Sequence, residues 1–141
     1  MDLYAENILD HYRHPRKKSP VSREEGCVMH KEVNASCGDE IVLRLQIKND
    51  RIVDIAWDGA GCAISQAGMS MLAEELMGMS TEAACALTPQ TMFAMLGVPI
   101  GARRMKCALL SLHGLKNTIH VLRGEPIQDW NITMHDVESL R

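Results

Sequence analysis

The sequence contains few aromatic residues and no long hydrophobic run. Trp, Tyr and Phe make up 4% of its 141 residues, so its ten methionines must fill part of the core that aromatic rings would otherwise occupy. No segment approaches the ~20 consecutive apolar residues of a transmembrane helix. The first residues also lack the basic and apolar regions of a secretory signal peptide. We therefore expect a cytoplasmic protein that does not enter a membrane.

The sequence also lacks an excess of positive charge, and its number of cysteines is odd. The net charge of −3 at pH 7 argues against general nucleic-acid binding. The five cysteines form no C-x₂-C pair, and an odd number suits a disulfide framework poorly. Zinc fingers, thioredoxin-like motifs and disulfide scaffolds are disfavoured, which leaves metal binding or reactive-thiol chemistry assembled by the tertiary fold.

The chain length and an apolar fraction of 46% predict one globular domain. Alternating apolar residues predict strands over 41–48 and 52–57 joined by a turn at Asn49-Asp50, with a further strand over 27–33. Strands followed by helices indicate an α+β fold with a small antiparallel sheet of about three strands. We assign residues 1–124 to this domain and residues 125–141 to a C-terminal tail. Helical periodicity predicts helices over about 3–14, 63–77, 81–87, 89–96 and 102–122.

Three cysteines lie in sequence contexts that suit a thiolate. Cys37 precedes the second strand, and in an extended strand its i, i+2 spacing would place it on the same face as Asp39. Cys62 follows a glycine-rich turn and precedes a helix, whose N-terminal N–H groups favour an anion. Cys107 lies near the start of the last long helix, among basic residues that stabilise a thiolate. If the fold brings these residues together, they form a sulfur-rich pocket for Zn²⁺, Fe or transferable sulfur.

Each of these positions also has a simpler interpretation. Asp39 could be an ordinary loop residue before a strand, and Cys62 could be a small buried hydrophobe. The basic residues Arg104 and Lys106 could be surface charges around a packed Cys107 thiol. Residues 13–18 contain a second basic cluster, which we interpret as a solvated loop.

The histidines provide no clear base or metal ligand. His11 lies on the apolar face of the first helix, where a structural role is expected. His113 follows Cys107 by nearly two helical turns, too far to reach the same metal readily. A cysteine-nucleophile hydrolase, which needs a histidine beside its thiol, is therefore the least favoured function.

Three ordered motifs resemble those of the IscU/NifU-like iron–sulfur cluster assembly scaffolds. Residues 34–39 (NASCGD) resemble the N-P-x-C-G-D motif of that family. Residues 59–67 (GAGCAISQA) and 104–108 (RMKCA) are similar to the second- and third-cysteine motifs of its SufU-like branch. The opening segment also resembles the family N-terminus, and the resemblance extends from about residue 3 to residue 122.

This resemblance implies a SufE/NifU-like sheet packed on one side by several helices, with a metal or cluster site at one exposed end. It further implies that Cys107 accepts or relays sulfur, with Arg104 and Lys106 in support. The implied ligands of the metal or cluster are Cys37, Asp39, Cys62 and Cys107.

The function implied is that of a scaffold, without an enzymatic small-molecule substrate of its own. Such a protein accepts sulfur from a pyridoxal-phosphate cysteine desulfurase, binds iron or a transient [2Fe–2S] cluster, and supplies downstream iron–sulfur acceptor proteins. The alternative is a SufU-type sulfurtransferase that holds Zn²⁺ at the same site and never a cluster. We expect a monomer or weak homo-oligomer with no nucleic-acid or membrane partner.

The chain departs from both branches of the family. Lys106 occupies the position where the IscU branch has a histidine before its third cysteine, as in SufU proteins. SufU proteins usually carry an insertion between the second and third cysteines, which this chain lacks, so it resembles a short SufU-like form. It also lacks the Leu-Pro-Pro-Val-Lys chaperone-binding motif, so a dedicated Hsp70-type partner is not expected.

Overall fold

Three antiparallel strands are followed by a series of helices, as the order of the sequence patterns predicts. The computed structural model describes residues 2–135. Within them the α+β prediction is confirmed. The elements in chain order are α1 (Leu3–Arg13), β1 (Cys27–Asn34), β2 (Asp39–Lys48), β3 (Arg51–Ala60), α2 (Ala63–Leu76), α3 (Thr81–Cys85), α4 (Pro89–Leu96), a 3₁₀ turn (Ala102–Arg104), α5 (Met105–Leu122) and α6 (Trp130–Thr133).

The sheet has the order β1-β2-β3, and both strand pairs are antiparallel. In the central strand, Ile41, Leu43 and Leu45 are at most 1% exposed, whereas the residues between them are half-buried. This alternation places one face of the sheet against the helices. Asn49 and Asp50 both have positive φ angles, as a two-residue type I′ hairpin turn requires.

Helix α5 packs across β1 and β2 and approaches the sheet closely at Gly114. A Cβ atom at Gly114 would lie 2.7 Å from Ile41 Cδ1, so glycine permits this approach. Cys107 precedes Gly114 by two helical turns, about 10 Å along the axis. The packing therefore carries the first turn of α5 to the end of the sheet where β2 begins.

The loop between α1 and β1 extends the sheet beside β3, contrary to the expectation of a simple solvated loop. The Trp57 N–H donates to Lys17 O (3.1 Å), and the Ser19 N–H donates to Trp57 O (2.9 Å). Lys18 forms a parallel bridge with Trp57 and places its ammonium 5.2 Å from the centroid of the indole ring. Lys17 adopts a φ of 64°, which is unusual for lysine.

The segment after α5 turns back onto that helix, where α6 packs against it. The tail assigned to residues 125–141 is therefore in contact with the domain as far as the structure describes it, and residues 136–141 lie outside the described residues. The boundary at residue 124 stays a prediction. Among residues 2–135, no helix has the length and apolar character needed to span a membrane.

Candidate metal centre

Cys37 lies in the tight turn between β1 and β2. Asn34 O accepts hydrogen bonds from the Cys37 N–H (3.3 Å) and the Gly38 N–H (2.9 Å), and Gly38 has a φ of 76° that favours glycine. The side-chain amide of Asn34 donates to Cys37 Sγ at 2.9 Å. The expectation that Cys37 and Asp39 share the face of an extended strand is wrong, because Cys37 belongs to the turn and β2 starts at Asp39.

Asp39 connects this turn to the start of α2. Its Oδ1 accepts the Cys62 N–H at 3.1 Å, and its Oδ2 lies 3.6 Å from Cys62 Sγ. Cys62 is the N-cap residue of α2, so its amide is one of the helix's unpaired donors. A Cβ atom at Gly61 would lie 2.5 Å from Asp39 Oδ1, so only glycine allows the two segments to come this close.

Cys107 lies in the first turn of α5 and completes the cluster. Its Sγ lies 3.4 Å from Cys37 Sγ. One ligand atom each from Cys37, Asp39 and Cys107 lies within 4.8 Å of the others, and Cys62 joins the group through its two contacts with Asp39. The structure thus brings three of the four residues singled out from the sequence into one group, and Cys62 adjoins that group through Asp39. Their role as ligands stays a prediction.

The thiols differ in their access to solvent. Cys37 and Cys62 are exposed, whereas Cys107 is 6% exposed and Asp39 only 3%. Burial raises the pKa of the Cys107 thiol, and the neighbouring Asp39 carboxylate and Cys37 thiol raise it further. The expectation that nearby cations favour a Cys107 thiolate is therefore not met.

Burial alone would raise the pKa of Asp39, but hydrogen bonds from the surrounding cysteines hold it below its ordinary value. The carboxylate is thus charged while almost fully removed from water. A buried anion bound mainly by thiols, which are weak hydrogen-bond donors, suits a site for a cation.

The basic residues before Cys107 do not contact its sulfur. Arg104 is exposed at the end of the 3₁₀ turn. The Lys106 ammonium lies 5.7 Å from the centroid of the Trp130 ring. Their proposed support of the site would therefore act through charge and position, not through a hydrogen bond to the thiol.

Neither of the two histidines weighed from the sequence serves a thiol. His11 hydrogen-bonds Ser70 Oγ (2.7 Å), as expected of a structural residue. His113 lies 2.9 Å from Glu32 Oε1 and stacks on Trp130. This placement gives no support to a hydrolase with a cysteine–histidine pair.

Sequence reasoning missed one contact within the site and one beside it. Asn34 begins the NASCGD motif, but its hydrogen bond to Cys37 depends on the turn and leaves no signal in the sequence. Trp130 lies in a segment without apolar periodicity, so the sequence contained no pattern that would place it beside Lys106.

The donor set fits both Zn²⁺ and an iron–sulfur cluster. Cysteine sulfur and aspartate oxygen are common ligands of Zn²⁺, and cysteine thiolates hold iron–sulfur clusters. Four donors from three separate parts of the chain suffice for tetrahedral coordination.

Comparison with known proteins identifies the family. The model of the NifU-like N terminal domain matches residues 3–129 of this chain. The chain belongs to this family. The resemblance inferred from the three cysteine motifs is therefore confirmed, and the match includes all four site residues.

Characterised relatives come from both branches of the family. The zinc-dependent sulfurtransferase SufU of Bacillus subtilis is 29% identical over 134 residues, covering 83% of this chain and 89% of that protein. The iron-sulfur cluster assembly scaffold protein IscU of Streptococcus pyogenes is 30% identical over 136 residues, covering 83% and 82%. A crystal structure described as a putative SUF-system scaffold protein from Fervidobacterium islandicum is 26% identical and aligns with a TM-score of 0.67, covering 81% of this chain and 94% of that one.

Proposed function

We propose that this protein is an iron–sulfur cluster assembly scaffold that accepts sulfur from a pyridoxal-phosphate cysteine desulfurase. It would bind iron or a transient [2Fe–2S] cluster and pass it to acceptor proteins in the cytoplasm, as a monomer or weak homo-oligomer. The observation that supports this proposal best is the convergence of three thiols on one buried carboxylate. The proposed ligands are Cys37, Asp39, Cys62 and Cys107.

The exposure of the thiols suggests an order for sulfur transfer. A thiolate at the exposed Cys37 attacks the outer sulfur of the desulfurase persulfide, which forms a Cys37 persulfide and releases the desulfurase cysteine as a thiolate. The Cys107 thiol, 3.4 Å away, then takes the same sulfur: its S–S bond forms as the Cys37 S–S bond breaks, and the Cys107 proton passes to the departing Cys37 sulfur, which returns to a thiol. Cys107 thus serves as the relay, shielded from solvent by its burial.

A zinc-bound sulfurtransferase that never holds a cluster is the second candidate. Lys106 favours it, because the position before the third cysteine has no imidazole to act as a further iron ligand. In that case Zn²⁺ would occupy the same donors, and the cysteines would exchange sulfur with the partner enzyme.

Anaerobic isolation followed by metal analysis separates the two functions. A scaffold should develop visible absorbance when iron and sulfide are added anaerobically, and Cys37→Ser should abolish that absorbance. Cys85→Ser provides a matched control, because Cys85 is a half-buried residue of α3 outside the cluster. One tightly bound zinc per chain, with no absorbance after reconstitution, would overturn the scaffold proposal.

Asp39→Ala tests the carboxylate as a ligand. Asp39 is the only hard oxygen donor among soft sulfurs in the proposed set, so its loss should slow release of the bound metal or cluster to a chelator. Glu40→Ala is the control, because Glu40 lies next in β2 on the opposite face and pairs with Lys31. Equal release rates for the two variants would show that Asp39 is not a ligand.

A further inference from the structure

Asn34 ends β1 and is almost fully buried beside the exposed Cys37. It is 3% exposed, and its backbone oxygen accepts the N–H groups of Cys37 and Gly38. Its side-chain Oδ1 accepts the Ser36 N–H at 3.3 Å. The turn therefore holds both the backbone and the side chain of Asn34 in one position.

The contact with Ser36 decides which end of the Asn34 amide faces the sulfur of Cys37. A backbone N–H group donates, so the side-chain atom that it meets is the amide oxygen, and the amide nitrogen is the atom that meets Cys37. This nitrogen, Nδ2, lies 2.9 Å from Cys37 Sγ. Because an amide nitrogen carries donors alone, the sulfur of Cys37 is the acceptor of this hydrogen bond.

This hydrogen bond joins a buried, fixed group to an exposed thiol. A cysteine side chain in an exposed turn has several staggered rotamers open to it, and the bond selects one of them. In that rotamer Cys37 Sγ lies 3.4 Å from Cys107 Sγ and belongs to the group that includes Asp39. Asn34 is not itself a proposed ligand, so its N–H group remains a donor when a cation displaces the thiol protons.

We propose that Asn34 is a positioning residue, whose side-chain amide holds Cys37 Sγ towards Cys107 and Asp39 and donates to that sulfur when it binds a metal. This inference rests on the proposed function, because it concerns the same donor set. A hydrogen bond to a ligand orients it, and the loss of such a bond lowers metal affinity by about ten- to a hundredfold. Asn34 therefore acts on the metal through Cys37.

Asn34→Ser separates the hydrogen bond to sulfur from the structure of the turn. A serine hydroxyl can still accept the N–H two residues further on, as Asn34 does from Ser36, but it is too short to replace the amide nitrogen at Cys37. Asn34→Ala removes both contacts. Asn117→Ser is the matched control, because Asn117 is also a buried asparagine, and its amide donates to Glu32 Oε1 at 2.8 Å, not to a thiol.

Zinc affinity, measured by competition with a chromophoric chelator, tests the consequence. Asn34→Ser and Asn34→Ala should both weaken binding by about ten- to a hundredfold, whereas Asn117→Ser should retain the wild-type affinity. A role limited to the turn predicts instead that Asn34→Ser binds zinc like the wild type while Asn34→Ala does not. Circular dichroism and thermal unfolding of the metal-free proteins establish that each variant is folded.

NMR of the protein loaded with cadmium-113 tests the contact itself. A hydrogen bond to a metal-bound sulfur transmits a scalar coupling between the Asn34 amide proton and the cadmium nucleus. This coupling should be present in the wild type and in Asn117→Ser and absent from Asn34→Ser. Its absence from the wild type, or unchanged zinc affinity in Asn34→Ser, would overturn the positioning proposal and leave the proposed function standing. A wild-type protein that binds no zinc, cadmium or iron would overturn both.

Discussion

Gly61→Ala is the most direct test of how the backbone holds the metal site. Gly61 has a φ of 157°, and an added Cβ would lie 2.5 Å from Asp39 Oδ1 and 2.8 Å from Ser65 Oγ. Both separations are shorter than the 3.0 Å below which Cβ atoms essentially never approach another heavy atom. Either the Asp39 carboxylate or the start of α2 must move to admit the methyl group.

The size of the effect follows from two contributions. A non-glycine residue at this φ costs about 1–3 kcal/mol of backbone strain. Displacing the carboxylate also lengthens its 3.1 Å hydrogen bond from the Cys62 N–H, and a bond to a charged group contributes about 1.5–3 kcal/mol. We therefore expect Gly61→Ala to lower the unfolding free energy by about 3 kcal/mol. It should also weaken zinc binding, because the start of α2 carries the proposed ligand Cys62 and would move with it.

Gly78→Ala is the matched control. Gly78 also has a positive φ, of 83°, but a Cβ there would meet no atom within 4 Å. It should lose about 1 kcal/mol from backbone strain alone and retain wild-type zinc affinity. Urea denaturation of the metal-free proteins measures the first quantity, and chelator competition measures the second. If the two variants lose the same stability and bind zinc equally, the close approach of Gly61 to Asp39 does not hold the site.

Three further predictions concern stability and thiol access. Lys17→Asn should raise the unfolding free energy by about 0.5–1 kcal/mol, because asparagine tolerates a φ of 64° better; a lower urea midpoint would contradict this. Burial raises the pKa of Glu32, but hydrogen bonds, the largest from His113, lower it to about 2 from 4.5. This depression stabilises the fold above pH 4.5 by about 2 kcal/mol after allowance for solvent screening, and the stabilisation disappears as the pH falls towards 2; Glu32→Gln should flatten that part of the acid unfolding curve. Iodoacetamide should alkylate Cys37 before Cys107 in the metal-free protein, and equal rates by peptide mass spectrometry would refute the difference in exposure.

The sheet and helices could be predicted because their signals are local. The alternation of apolar residues from Ile41 to Ile47 defines the buried face of β2. Asn49 and Asp50, which separate β2 from β3, are residue types that readily adopt the positive φ angles of a hairpin turn. Pro89 and Gly97 mark the limits of α4 in the same way. Each of these signals depends on residues within a few positions of one another.

The internal arrangement of the site depends on tertiary packing and could not be predicted. The neighbourhood of Cys107 contains three cations in sequence, yet burial against Cys37 and Asp39 raises its pKa. That burial comes from the approach of α5 to the sheet, which is set at Gly114, two helical turns away. The contact of Lys106 with Trp130 likewise joins residues that are 24 positions apart in the sequence.

Asp39 is a buried anion whose charge its neighbours stabilise. It is 3% exposed, and it accepts the Cys62 N–H at 3.1 Å and lies 3.6 Å from Cys62 Sγ. Burial alone would raise the pKa of its carboxyl, but hydrogen bonds from the surrounding cysteines hold that pKa below the ordinary value. A metal cation that displaces the thiol protons would convert these neighbours into thiolate ligands beside a carboxylate that is already charged. The exposed Cys37 and Cys62 leave a route by which the cation and sulfur can enter.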